Sequence, residues 1–113
     1  MHELSLSVAL VQQATDIMLE NAGNKILSVS LDVGALSGVS VHALKFCFPE
    51  ACRGSALENC QLYINEIPLI IFCPGCQIEM NLESPYPFCP KCQNANVEIR
   101  SGKEFNLVSM EVE

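Results

Sequence analysis

Two C-x2-C pairs, Cys73 with Cys76 and Cys89 with Cys92, stand twelve residues apart near the end of the chain. Each pair is a short knuckle that aims two thiolates at one point. Two knuckles close a tetrahedral sulfur site of the kind that holds structural zinc. The flanks repeat, as Phe72-Cys73-Pro74-Gly75-Cys76 and Phe88-Cys89-Pro90-Lys91-Cys92. Proline fixes φ after the first thiolate of each knuckle, and Gly75 is expected to permit the turn back. The alternatives are two disulfides, four unrelated buried thiols, or a rubredoxin-like iron site, since Phe-Cys-Pro-x-Cys suits iron as well. A segment of roughly 30 residues cannot hold itself together by hydrophobic burial alone. Metal must supply its folding energy, on the order of 10 kcal/mol.

The whole chain has 113 residues, half of them hydrophobic, enough for one modest domain carrying a smaller module. Six basic against thirteen acidic residues give a formal charge of −7. A zinc tetrathiolate adds about −2. This balance argues against nucleic acid, whose phosphates reward clustered Lys and Arg. No window approaches the ~18 uninterrupted apolar residues of a membrane span. Met1-His2-Glu3 lacks the basic start of a secretion signal. Seven cysteines, an odd number, point to a reducing cytoplasm rather than to a disulfide framework. Cys47, Cys52 and Cys60 read as small buried hydrophobes.

Periodicity predicts a helix over residues 3–22, with Leu4, Val8, Val11, Thr15 and Met18 on one stripe and Gly23 past its end. Residues 26–33 alternate as a half-buried strand, Leu27, Val29, Leu31 and Val33 against Ser28, Ser30 and Asp32. Ser40 can cap a second helix through Ala43, Leu44, Phe46 and Cys47, which Pro49 should kink or break. Cys60, Leu62 and Ile64 predict another strand, and residues 104–112 a final one. The expected fold is α+β: a small sheet of about three strands with two helices, plus an inserted four-cysteine zinc-ribbon module. The expected domains are 1–67 with 99–113, and the zinc-binding segment 68–98.

A zinc closed by four thiolates has no open position and cannot activate water. Apart from His2 there is one histidine, His42, expected mid-helix. No Ser-His-Asp signature, phosphate-binding loop or HExxH motif is present. The chain reads as a non-enzyme. His2 stands directly after the initiator. Its imidazole, the terminal amine and nearby main-chain nitrogens form a compact chelate, which deprotonated amides bias toward square-planar Ni²⁺ or Cu²⁺. The opening turn of a helix leaves N–H groups without intrahelical partners, so such amides are available there. Taken on its residues alone, a His at this place is more simply a frayed chain end.

The start Met1-His2-Glu3-Leu4-Ser5, the segment Val33-Gly34-Ala35-Leu36-Ser37-Gly38-Val39, the two C-x2-C pairs and the β-rich end resemble, over essentially the whole chain, the HypA/HybF family of hydrogenase nickel-maturation proteins. The resemblance implies a nickel-binding α/β domain with a zinc domain inserted. It implies Ni²⁺ as cargo at Met1, His2 and Glu3, and structural Zn²⁺ at Cys73, Cys76, Cys89 and Cys92. It also implies a HypB-type GTPase and a [NiFe]-hydrogenase large subunit as partners, in the cytoplasm. A homodimer is compatible with it. Some relatives carry a histidine directly after a C-x2-C pair, where this chain has Gln77 and Gln93. The rival reading is a zinc-ribbon adaptor that binds protein through its knuckles, with His2 irrelevant.

Overall fold

The computed structural model describes residues 2–113, with side chains from Glu3 onward. Helix α1 spans His2–Glu20, strand β1 Ile26–Gly34, helix α2 Val41–Cys52, and β2 Gln61–Ile67. Strands β3 Leu69–Cys73, β4 Ile78–Leu82, β5 Glu98–Ser101 and β6 Phe105–Val112 follow. They form two three-stranded sheets, β2-β1-β6 and β4-β3-β5. The chain divides into two compact units: Met1–Leu31 with Val39–Asn65 and Asn106–Glu113, and Asp32–Gly38 with Glu66–Phe105. Among the described residues no helix is long and apolar enough to cross a membrane.

In the first unit, α1 buries Ser7, Leu10, Ala14 and Met18, one residue per turn. Val8, expected on that stripe, is 55% exposed. The inward face admits Ser7 because its hydroxyl donates to the Glu3 carbonyl at 2.8 Å, which satisfies a fully buried polar atom. The left-handed residue past the helix is Ala22, φ 56°, one position before the expected Gly23. Ala22 N–H donates to Leu19 O and Gly23 N–H to Met18 O, the two bonds of a Schellman cap. Gly23 is needed for space instead: a Cβ there would overlap Val112 Cγ1.

Central strand β1 buries Ile26, Val29, Leu31 and Val33, while Leu27 is exposed. Ser40 caps α2 as expected, its hydroxyl accepting from Ala43 N–H at 3.2 Å. Pro49 does not end the helix. Leu44, Cys47, Phe48 and Cys52 form one buried stripe that runs past it, and Pro49 itself faces outward beside exposed Lys45. The hydrogen bond that proline deletes therefore belongs to a carbonyl on the wet side, where water replaces it. In β6 the inward alternation changes phase at Val108 and Ser109: Phe105 and Leu107 point in before it, Met110 and Val112 after it.

In the second unit, β3 pairs antiparallel with β4, Cys73 opposite Ile78, and with β5, Ile71 opposite Ile99. Leu69, Ile71 and Cys73 alternate inward and are fully buried. The segment Gly34–Gly38 lies in this unit, held by Gly34 N–H to Glu104 O, Ala35 N–H to Ile67 O and Leu36 N–H to Gly102 O. A Cβ on Gly34 would overlap the carbonyl of Gly102, so main chain meets main chain with no room for a side chain.

The two close approaches differ in what must yield. Gly34→Ala forces backbone apart and should cost about 3 kcal/mol or more. Gly23→Ala displaces only side-chain atoms, of Val112 and Met18, and should cost about 1–2 kcal/mol. Urea unfolding of the two variants beside the parent checks both the sizes and their order.

Candidate metal centres

The end of β3 delivers Cys73, and residues 74–77 form the loop that turns β3 into β4. This first knuckle carries Cys76. The second knuckle, Cys89 to Cys92, lies in the long connection from β4 to β5. Both knuckles turn in the same way. Gln77 N–H donates to Cys73 O and Gln93 N–H to Cys89 O, each at 2.7 Å. Gln77 and Gln93 take φ of 58° and 60°. The turn back is thus made by the residue after each pair. Gly75, expected to provide it, has ordinary room for a side chain, and Lys91 stands at its place in the second knuckle. Nothing in residue type marked the two glutamines for a left-handed turn; only their equal spacing from the knuckles did.

The four sulfurs lie within 4.8 Å of one another. Cys73 Sγ stands 3.6 Å from Cys92 Sγ, and Cys76 Sγ 3.8 Å from Cys89 Sγ. A tetrahedron built on metal–sulfur bonds of about 2.3 Å has edges of about 3.8 Å. All seven cysteines are free thiols, so the disulfide alternative is not realised. The donor set and its spacing fit zinc.

The sulfurs are not equivalent. The N–H groups of Cys92 and Lys91 point at Cys89 and hold its thiol down at about 6 against its burial. Hydrogen bonds with the Cys92 and Cys89 sulfurs push Cys76 up to about 12. Cys92 receives the Asn94 N–H, which favours its thiolate, but contact with Cys73 and Cys89 and loss of solvent outweigh this and raise it. Cys89 is thereby biased toward its thiolate, and Cys76 and Cys92 toward their thiols. Cys73 and Cys89 are buried, Cys76 is half-buried and Cys92 exposed.

At the other end, the expected ligands Met1 and the His2 imidazole lie outside the described residues. Glu3 is described, and its carboxylate accepts from Ser40 N–H at 3.1 Å. The first turn of α1 is thereby tied to the N-cap of α2. His42 lies in the first turn of α2 rather than mid-helix, with an exposed side chain. Cys47 and Cys52 are buried and Cys60 is half-buried.

The thiol inventory makes metal uptake a proton count. Zinc binding at pH 7.5 should release fewer protons than one per thiol, because Cys89 is already ionised. Release per ion should rise as pH falls through about 6, where Cys89 also carries a proton. Affinity should fall over the same range, since each added proton competes with the ion. Calorimetry in buffers of different ionisation enthalpy reads both.

The family profile described as hydrogenase/urease nickel incorporation, metallochaperone, hypA matches residues 1–112. The hydrogenase maturation factor HypA of Chloroflexus aurantiacus is 40% identical over 112 residues, 98% of each chain. That of Chlorobaculum tepidum is 38% identical over 113 residues, the whole of both. Among solved structures, one described as the solution structure of HypA protein is similar with a TM-score of 0.71 and 25% identity, covering 100% of this chain and 97% of that one. The Ni metallochaperone HypA from Helicobacter pylori shares the fold with a TM-score of 0.67 and 24% identity, over 97% of this chain and 96% of that one. With its two helices, small sheets, four-sulfur cluster and full-length match, the chain belongs to the HypA family of hydrogenase/urease nickel-incorporation metallochaperones.

Proposed function

We propose that this protein carries Ni²⁺ at its N-terminus and delivers it to a [NiFe]-hydrogenase large subunit in the cytoplasm, working with a HypB-type GTPase and catalysing no reaction itself. The observation that carries the reading is the family match along residues 1–112, which takes in Met1-His2-Glu3. Nickel is held by the His2 imidazole and the main-chain nitrogens around Met1 to Glu3. Glu3 contributes its own nitrogen, while its carboxylate braces Ser40 N–H. Cys73, Cys76, Cys89 and Cys92 hold structural zinc, whose bound form cross-links the two knuckles. We assign residues 1–67 with 99–113 to the nickel-binding domain and 68–98 to the zinc-binding one, although 32–38, 66–67 and 99–105 pack in the second compact unit.

The two sites divide labour by chemistry. A four-thiolate site leaves no position for a ligand to enter, so its ion stays. A transferable ion needs donors that let go. An amine, an imidazole and main-chain amides all do so on taking up protons. The acidic surface favours basic patches on partners. Exposed Tyr86 and Phe88, beside a surface groove lined by Leu82 and Pro90, favour a second role in which the zinc module docks on protein.

His2→Ala should weaken nickel binding roughly 100-fold or more while zinc content and fold are kept. One extra residue before Met1 should weaken it comparably, by moving the amine away from the imidazole. Nickel affinity should fall as pH drops through about 6.5, where imidazole takes up a proton and leaves the ion. Titration calorimetry on native, extended and His2→Ala proteins tests all three. Parental affinity in the folded variant would move nickel elsewhere.

A further inference from the structure

The last residue of α2 is Cys52, and Cys60 immediately precedes β2. The segment between them is fixed by its own hydrogen bonds. Ser55 Oγ donates to Cys52 O at 2.7 Å and accepts from Leu57 N–H at 3.1 Å. Cys60 N–H donates to Leu57 O at 2.9 Å, and the Leu57 side chain is fully buried. The loop therefore returns the chain to its starting point in a set geometry. Both cysteines line a surface cavity of about 190 Å³, along with Pro49, Arg53, Glu58 and Asn59. Both cysteines thus face one cavity, close enough for each to perturb the other. Cys52 is 2% exposed, while Cys60 is only half-buried. Cys47, the other cysteine of α2, lines a different groove, next to Leu4 and Phe46.

We propose that Cys52 and Cys60 are a reversible disulfide site, oxidised by small-molecule disulfides. The more accessible Cys60 loses its proton to water and attacks one sulfur of the oxidant, expelling the other as a thiolate. A mixed disulfide results. Cys52 then loses its proton and attacks Cys60 Sγ, which expels the second thiolate. Two protein thiols and one small disulfide become one protein disulfide and two small thiols. The two protons end on those thiols. The bridge joins the end of α2 to the start of β2 across a loop whose own hydrogen bonds bring both cysteines to one cavity. Burial pushes the Cys52 thiol up to about 12 and also raises Cys60. The pair is therefore slow to react at neutral pH and speeds up by about tenfold per pH unit above it.

The test uses full-length, zinc-loaded protein and oxidised glutathione. Free thiols are alkylated in denaturant and the linkage is placed by tandem mass spectrometry, with zinc content followed in parallel. The expected result is a Cys52–Cys60 linkage with zinc retained, reversed by dithiothreitol. It should persist in Cys47→Ser and be lost in Cys52→Ser and in Cys60→Ser. Oxidised protein should melt several degrees above reduced protein, since the bridge closes a short loop. Three results overturn the proposal: both thiols still free to alkylation after the oxidised glutathione treatment, a stable glutathione adduct on Cys60 as end product, or linkage only after zinc has left.

Discussion

Four thiols within 4.8 Å of one another are incompatible as four bare thiolates. Like charges 3.6–3.8 Å apart repel strongly where solvent is thin. One divalent cation turns that repulsion into the bond that organises the second unit. The surrounding strands are short, five residues in β3 and β4 and four in β5. Such strands cannot set the path of the long loop between β4 and β5. The sulfurs set it, which is why the loop is rich in Pro and Asn rather than in core-forming residues.

The first unit depends on ordinary burial and on one polar brace. Glu3 spans from the opening turn of α1 to the N–H of Ser40, and Ser40 caps α2 with its own hydroxyl. One carboxylate thus serves two helix starts, satisfying a donor at the second while standing at the positive end of the first. This gives Glu3 a structural task beside any role at the chain end, and it explains why an acidic residue suits the third position.

The two helices, the first strand and the metal site were legible because each rests on a local pattern: helical spacing of apolar residues, strict alternation, a capping serine, paired cysteines. What was not legible rests on three-dimensional context. Val8 has the right spacing for the inner face but loses its place to Ser7, whose hydroxyl is satisfied within the helix. Pro49 is a helix breaker by type, and only the side it faces makes it harmless. Strands β4 and β5 are too short and too polar to stand out, and exist because β3 lies between them. Gly34 was visible as part of a family segment, but its cause, the passage of the Gly102 carbonyl, comes from residues 68 positions away. Met1-His2-Glu3 had meaning only through resemblance, since a chelate at a chain end has no pattern of its own.

Each knuckle contributes one inner and one outer sulfur, Cys73 and Cys89 inside, Cys76 and Cys92 toward solvent. An ion bound there has a protected edge and an open one. A competing chelator would reach the outer pair, Cys92 and Cys76, before the inner pair. The residence time of the metal is then set by two residues and its equilibrium affinity by four, so the lifetime and the strength of the site are separately adjustable.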